Sequence, residues 1–395
     1  MLEGKKITIG LCGGIAVYHI ASLVRKLVKF HHADVHVIMT DASQKFITPL
    51  IFETFTEKKV VTTMFPENEF VGTRHIDLAT ESDVILIAPA TANIIGKAAS
   101  GIADDFLSTV TMAGLNKTVF ALVMNTNMYE NSIVQSNIAK VENAGASVIL
   151  PISGELACNT FGIGHLEEND EIIEYVIRKI NNPSDMTGKN VLITGGATEE
   201  AIDPVRKITN YSSGKMGANL ALSAYRRGAN VTWITGRTHE TAPKGIRRID
   251  ILTAEEMDSA VKENQAEQDI LVFSAAVEDF KPHDFASQKI KKNEHLEIKF
   301  TRTVDVLKNA GMNKNENQYF AGFALETEHA EQNALAKMKQ KNCDCMVVNS
   351  PEGLGGNDNS VTLIFPEHLS MRFDKLSKLE IADKLFDSIL KQINE

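Results

Sequence analysis

Cysteine is scarce in this chain, with four in 395 residues, at positions 12, 158, 343 and 345. Four such positions build no disulfide framework, and their spacing is not that of a metal site. Long apolar runs are missing too, and none approaches the roughly 20 residues that cross a bilayer. Positive charge is in deficit: 41 Lys and Arg stand against 51 Asp and Glu, a net charge of −10. That balance argues against nucleic acid or an anionic membrane as partner, while local basic loops still admit small anionic substrates. The opening Met1-Leu2-Glu3-Gly4-Lys5-Lys6 runs into a strand-like stretch without an apolar signal segment. A cytoplasmic protein is expected.

What is there reads as globular, with 43% hydrophobic and 23% charged residues. The length suits two domains of roughly 180 to 200 residues. Pro183 and Gly188 interrupt the apolar pattern between Ile180 and Lys189, so the expected division is 1–181, a linker at 182–189, and 190–395.

In the first half, strands expected at Ile7 to Leu11, Asp34 to Met39, Val84 to Asn93, Val119 to Met124 and Ser147 to Leu150 alternate with helices. A closing helix is expected from Glu167 to Ile180. The alternation predicts an α/β fold with an open parallel sheet and ligand loops at the strand carboxyl ends. Cys12-Gly13-Gly14 after the first strand is not GxGxxG, and no acidic partner for a dinucleotide is evident, so a mononucleotide fits better than NAD. Thr40, Thr91 and Asn93 place small polar groups on neighbouring loops, where each serves equally well as a helix cap. His75 opens a helix whose buried positions are expected to be Ile76, Leu78 and Ala79. Asn125 and Asn127 lie between Met124 and Met128, as either a polar site or an Asn-rich turn. Cys158 falls in a glycine-rich stretch, 154–164, with neither helical nor strand periodicity. A thiol there is less readily inert filler than one in a strand.

The second half opens like the first, with Lys189 to Gly195 leading into another Gly-Gly turn. Its central stretch is 206–219, where Arg206, Asn210, Ser212, Ser213 and Lys215 gather donors around Gly214 and Gly217. A donor-rich loop opening a helix suits a phosphate or carboxylate, because free N–H groups and the helix dipole favour an anion. Further strands are expected at Asn230 to Thr235, Asp250 to Leu252 and Asp269 to Ala275, the last carrying Phe273, Ser274, Ala275, Ala276 and then Asp279 to a carboxyl end. Lys289 to Lys292 form a basic loop in an acidic chain, ahead of an alternating strand through Leu296, Ile298 and Phe300. Lys337 and Lys341 share a helix face and either clamp one anion or are simply solvated. Cys343 and Cys345 start a strand, where core packing accounts for at least one.

Together these motifs resemble the bifunctional phosphopantothenoylcysteine decarboxylase/phosphopantothenate–cysteine ligase family of coenzyme A biosynthesis. The first half carries Gly13-Gly14-Ile15-Ala16, Gly72 to Ile76, Ala88-Pro89-Ala90-Thr91-Ala92, Met124-Asn125 with Met128, and Ala157-Cys158 before Gly162-Ile163-Gly164. The second carries Asp203-Pro204-Val205-Arg206, Asn210, Ser212 to Gly217, Ala275-Ala276-Val277 with Asp279, and Lys289-Ile290-Lys291-Lys292. Departures are Cys12 for Ser, Leu122 for Pro, Asn159 for Gly, Val304 for Pro, and Glu278 for Ala in Ala276-Val277-Glu278-Asp279-Phe280. The resemblance spans the whole chain.

The resemblance implies a flavodoxin-like N-terminal sheet of the homo-oligomeric flavin-containing cysteine decarboxylase type and a Rossmann-like ligase domain. It implies FMN held by Gly13, Gly14, Ile15, Thr40, Thr91, Asn93 and Met128, and a decarboxylation without net redox change through a thioaldehyde. His75 would be the base near the substrate thiol, Asn125 would hold the carboxylate, and Cys158 would donate the final proton. For the ligase it implies CTP, Mg2+, 4'-phosphopantothenate and L-cysteine, with an acyl-cytidylate intermediate. Lys289 would close on the triphosphate, Asn210 would act on the acyl intermediate, and Asp279 would meet the ribose or the cation. Ser212, Lys215 and the Phe273 to Ala276 segment would contact substrate. Val304, Asp305, Val306 and Leu307 would sit at the cytosine, and Phe323, Lys337 and Lys341 would line the nucleotide site. A dodecamer of trimeric flavin domains and dimeric ligase domains is the implied assembly.

Overall fold

A computed structural model describes residues 2–66, 73–155, 161–181, 184–291, 297–325, 330–349, 356, 358–366 and 369–394. The chain divides into two compact units, Met1–Ile180 and Asn181–Glu395.

The first unit begins with β1 (Lys6–Leu11), α1 (Val17–Lys29), β2 (Asp34–Met39), α2 (Pro49–Thr56), α3 (Arg74–Glu81) and β3 (Val84–Ala90). It continues with α4 (Ala92–Ser100), α5 (Phe106–Ala113), β4 (Thr118–Leu122), α6 (Thr126–Tyr129), α7 (Ser132–Asn143), β5 (Ser147–Ile149), β6 (Ile152–Glu155), β7 (Phe161–His165) and α8 (Asn169–Ile180). Five parallel strands run in the order β2-β1-β3-β4-β5. Every residue of β3 is buried, because helices cover both faces of the sheet; such a strand reads as a continuous apolar run. In α1, Val17, Ile20, Leu23, Val24 and Leu27 recur at helical spacing and bury one stripe. The strand order reverses between β1 and β3, which opens a crevice at their carboxyl ends.

The second unit contains β8 (Asn190–Gly195), β9 (Glu199–Ala201), β10 (Lys207–Thr209), α9 (Lys215–Arg226), β11 (Asn230–Thr235), β12 (Arg247–Asp250), α10 (Ala254–Asn264) and β13 (Ile270–Phe273). It closes with β14 (Phe280–Pro282), β15 (Phe300–Arg302), α11 (Val306–Met312), β16 (Tyr319–Leu325), α12 (Ala330–Gln340), β17 (Cys345–Asn349), β18 (Asp358–Ile364), β19 (Ser370–Ser377) and α13 (Lys378–Asn394). Its eight strands run β12-β11-β8-β13-β16-β17-β18-β19, the first six parallel and the last two antiparallel. The six parallel strands repeat the doubly wound dinucleotide-fold order, with its reversal between β8 and β13.

Four expectations are corrected. The described ends of the glycine-rich stretch, 154–155 and 161–164, form an antiparallel ribbon, in which Gly154 pairs with Gly162. Facing glycines erase the period-two apolar signal that marks a strand. Ile76 is 41% exposed, because α3 buries only the stripe bearing Leu78 and Ala79. The strand expected at Asp250 to Leu252 lies earlier, at Arg247–Asp250, paired with β11. Leu296 lies outside the described residues, and among the described residues after the basic loop pairing starts at Phe300, where β15 meets β14.

Candidate active sites

A cavity of about 590 Å3 opens at the carboxyl ends of β1, β2 and β3, lined by Cys12, Gly13, Thr40, Thr91, Asn93 and Phe106 among others. Its size falls within the usual range for a small-ligand site. Gly13 is required there, since a Cβ would lie 2.4 Å from that of Ala42. Thr40 Oγ1 accepts from Ser43 N–H at 3.3 Å and donates to the Leu11 carbonyl at 3.2 Å. Burial pushes the Cys12 thiol up to about 12 against the opposing bonds from Thr91, so it stays protonated and works as a small wall residue. Lys97 pairs with Asp104 at 2.6 Å and Asp105 at 3.0 Å on the rim. A glycine-floored crevice with hydroxyl and amide groups at a strand switch point fits a mononucleotide cofactor.

Gly14 and Ile15 follow in the turn into α1, where Ile15 is 56% exposed. The His75 ring stands edge-on to Phe106, 6.3 Å between centroids, which places the imidazole against the cavity wall. Asn125 caps α6, its Oδ1 accepting from Asn127 N–H at 2.9 Å, and Met128 is exposed on the same turn. The β6–β7 ribbon is seated on this turn: Thr126 Oγ1 donates to the Ile163 carbonyl at 2.7 Å, and Met124 N–H to that of Gly164 at 3.1 Å. Cys158 and Asn159 lie outside the described residues. Leu122 is a buried strand end.

In the second unit, β8 and α9 approach so closely that a Cβ on Gly217 would sit 2.8 Å from Gly195 Cα. Gly214 caps α9 in the left-handed region at φ 78°, and Lys215 is the first helical residue. Asn210 Nδ2 donates to the carbonyls of Ala276 at 3.4 Å and Val277 at 3.3 Å. The donor-rich loop and the end of β13 therefore meet. Ser274 Oγ donates to the Thr194 carbonyl at 2.6 Å, locking the neighbouring strand ends together.

The basic loop is held from the same side. Asp203, whose side chain is fully buried, accepts from Val205 N–H at 2.7 Å, Arg206 N–H at 2.8 Å and Ile290 N–H at 3.1 Å. Arg206 Nη1 adds a 2.8 Å contact to Asp203 and reaches the Ile290 carbonyl at 3.2 Å. Burial works to raise the Asp203 pKa, but these donors outweigh it and hold the carboxyl below its usual range. Lys289, next to the anchored Ile290, is exposed. Lys292 lies outside the described residues.

Asp279 is exposed, and its carbonyl accepts from Thr303 N–H at 3.0 Å. Asp305 caps α11 and pairs with Lys341 at 3.0 Å, so Lys341 must release a carboxylate before meeting another anion. Lys341 N–H bonds the Lys337 carbonyl at 2.9 Å, which continues the helical spacing one residue past α12. Phe273 and Val306 are core side chains, the former 5.5 Å from the Phe320 ring between centroids, so only their main chain reaches the crevice. Val304, Leu307 and Phe323 are half-buried against the same apolar layers. Among the described residues, no group of three or more His, Cys, Asp or Glu side chains forms a metal site, which leaves Asp279 the sole candidate from the sequence.

Three polar groups here escaped sequence reasoning. Asn349 ends β17 opposite Leu325, with a buried Oδ1 that has no hydrogen-bond partner among the described residues, and Glu278 Oε2 is buried in the same state. Lys378 is 6% exposed. Its signal was in the sequence, since Lys378, Ile381, Ala382 and Leu385 form one buried helical stripe that begins with a lysine.

The two crevices on doubly wound sheets define a two-domain α/β protein of the nucleotide-binding kind. A flavoprotein family model matches residues 1–181, and the model of the DNA/pantothenate metabolism flavoprotein C-terminal domain matches 186–393. The chain is 40% identical over 388 residues to the coenzyme A biosynthesis bifunctional protein CoaBC of Borreliella burgdorferi, covering 98% of this chain and 99% of that one. It is 38% identical over 397 residues to that of Bacillus subtilis, covering 98% and 97%. Among solved structures, the C-terminal domain of a CoaBC protein is 33% identical and covers 53% of this chain and 98% of its own, with a TM-score of 0.47. The chain belongs to the family of coenzyme A biosynthesis bifunctional proteins, CoaBC. It is a bifunctional enzyme with a flavoprotein decarboxylase domain and a ligase domain. No helix among the described residues is long and apolar enough to cross a membrane.

Proposed function

We propose that the second unit couples 4'-phosphopantothenate to L-cysteine at the expense of CTP, and that the first decarboxylates the product to 4'-phosphopantetheine. A carboxylate is a poor acyl donor until its oxygen becomes a leaving group, which is why the nucleotide is consumed. The carboxylate attacks the α-phosphate of CTP, giving an acyl-cytidylate and pyrophosphate; the cysteine amine then displaces CMP. Ser212, Lys215 and the open end of α9 bind phosphates, and Lys289 closes on them from the loop that Asp203 anchors. Asn210, fixed against the Ala276 and Val277 carbonyls, orients the acyl intermediate. Asp279 takes the ribose or the cation, and Phe323, Lys337 and Lys341 line the nucleotide. Mg2+ would supply charge neutralisation on the phosphate oxygens.

In the first unit Gly13, Gly14, Thr40, Thr91 and Asn93 would hold FMN in the cavity, where it would supply a reversible two-electron acceptor. His75 takes the proton of the substrate thiol, Asn125 holds the carboxylate that leaves as CO2, and Met128 packs beside it. Cys158 returns a proton to the ene-thiol product of decarboxylation. The exposed Ile15, Leu50 and Phe65 suit burial between copies, in line with trimeric flavin domains and a dodecamer built with dimeric ligase domains. The protein is proposed to work in the cytoplasm.

The observation that carries this reading is the meeting of Asn210 with the Ala276–Val277 segment at the open end of a doubly wound sheet. Asn210→Asp tests it: with radiolabelled CTP, phosphopantothenate and no cysteine, the variant should still release pyrophosphate but fail to pass label on as CMP when cysteine is added. A variant that completes the amide at the wild-type rate would remove Asn210 from the reaction.

A further inference from the structure

Thr198 joins three segments of the second unit's crevice. It is wholly buried and lies past the end of β8, between the Gly195-Gly196 turn and β9. Ladder pairing of β8 with β13 continues beyond both strands as far as this residue. Ser274 N–H bonds the Thr194 carbonyl at 3.1 Å, Ala276 N–H that of Gly196 at 2.9 Å, and Thr198 N–H that of Ala276 at 3.2 Å. In a parallel ladder the next rung runs from Glu278 N–H to the Thr198 carbonyl. That carbonyl is taken instead by Thr209 Oγ1, which donates to it at 2.8 Å. The side chain restores the rung, since Thr198 Oγ1 accepts from Glu278 N–H at 2.8 Å. The hydroxyl stands in for the carbonyl of its own residue, which a valine of the same shape could not do.

The position of this rung connects it to the reaction. Asn210 follows Thr209 directly and is exposed, and its amide donates to the Ala276 and Val277 carbonyls at 3.4 and 3.3 Å. Both bonds are long, so the amide is held only as well as those two carbonyls are placed. The two residues are bracketed by Thr198, which meets the Ala276 carbonyl through its N–H and Glu278 N–H through its Oγ1. From the other side Thr303 Oγ1 donates to the Glu278 carbonyl, and Thr303 N–H to that of Asp279. With the Thr198 hydroxyl removed, Val277 and Glu278 would follow β15 instead of β8, and the acceptors of Asn210 would move with them.

We infer that Thr198 is a positioning residue of the ligase, whose hydroxyl sets the Ala276 and Val277 carbonyls that orient Asn210 for amide formation. This rests on the role given to Asn210 above.

Full-length wild type, Thr198→Val, Thr198→Ser, Asn210→Asp and the double variant Thr198→Val/Asn210→Asp are supplied with radiolabelled CTP, phosphopantothenate and Mg2+. Pyrophosphate release is timed first, and CMP release after cysteine is added. Thr198→Val should release CMP about tenfold to a hundredfold more slowly, with pyrophosphate release within about twofold of wild type. Thr198→Ser keeps the hydroxyl and should match wild type. The double variant should be no slower than Asn210→Asp alone, because the hydroxyl acts through Asn210. CMP release at the wild-type rate by Thr198→Val overturns the inference. Equal slowing of both steps, or losses that multiply in the double variant, mark a merely structural residue and overturn it too. If Asn210→Asp itself completes the amide normally, the role of Asn210 falls first and the inference with it. Should Thr198→Val not fold, Thr209→Val takes its place, removing only the donor to the Thr198 carbonyl at an exposed position. Selective slowing of CMP release then supports the inference, and any other pattern overturns it.

Discussion

Asp203 Oδ2 accepts a hydrogen bond from the backbone N–H of Ile290 at 3.1 Å, 87 residues further along the chain. One buried carboxylate thereby ties the turn before β10 to the base of the Lys289 loop, with Arg206 closing the bridge on the Ile290 carbonyl. Asp203→Asn keeps the shape but loses the charge and replaces an acceptor with a donor facing N–H groups. Ligase turnover should fall by about 10²-fold through misplacement of Lys289, with decarboxylase turnover on supplied phosphopantothenoylcysteine unchanged. Separate assays of the two half-reactions check this.

The mirror experiment uses the ribbon of the first unit. A Cβ on Gly162 would lie 2.4 Å from Thr126 Oγ1, the group that bonds the Ile163 carbonyl. Gly162→Val should push β7 off α6 at a cost of about 1–3 kcal/mol from overpacking. Decarboxylation should collapse and ligation survive. Carbon dioxide release measured beside pyrophosphate release distinguishes the two.

The floor of the cavity gives a prediction read by eye. Gly13→Ala sets a methyl 2.4 Å from Ala42 Cβ and 3.0 Å from its carbonyl carbon. The β1 turn must shift, so the purified variant should hold much less flavin than wild type. The ratio of visible to protein absorbance measures it.

Glu278 carries a pH prediction. Burial, and then the charge of Asp279, raise its pKa from the ordinary 4.5, and Oε2 has no partner among the described residues. A carboxyl whose folded pKa is raised stabilises the fold below the unfolded pKa, and that contribution is lost as pH rises through the folded value. Wild type is therefore penalised at neutral pH. Glu278→Gln should melt higher than wild type at pH 8, and the gap should close as pH falls toward 4. Paired melting curves across that range give the answer.

Both doubly wound sheets were legible because buried parallel strands such as β3 and β13 are short apolar runs, each followed by a helix with one apolar stripe. Boundaries blurred where the side-chain signal vanished, as at Gly154 and Gly162 in the ribbon. They also blurred where pairing rather than pattern sets the strand, as at Arg247–Asp250. The donor-rich loop at 206–219 stood out because Asn210, Ser212 and Lys215 cluster in sequence. Asp203 and Ile290 come together only in three dimensions, and no local pattern announces that a carboxylate will bind a backbone amide 87 residues away. Glu278 was visible as an acid in place of Ala, but its lack of a partner among the described residues belongs to packing.

The most direct test supplies purified full-length protein with 4'-phosphopantothenate, L-cysteine, CTP and Mg2+, and follows pyrophosphate, CMP, CO2 and 4'-phosphopantetheine together with the visible spectrum. The account predicts a yellow protein that forms all four products, with CO2 lagging behind CMP. A colourless protein that releases pyrophosphate and CMP without CO2 would contradict the flavin half, and one that forms none of the four would contradict both.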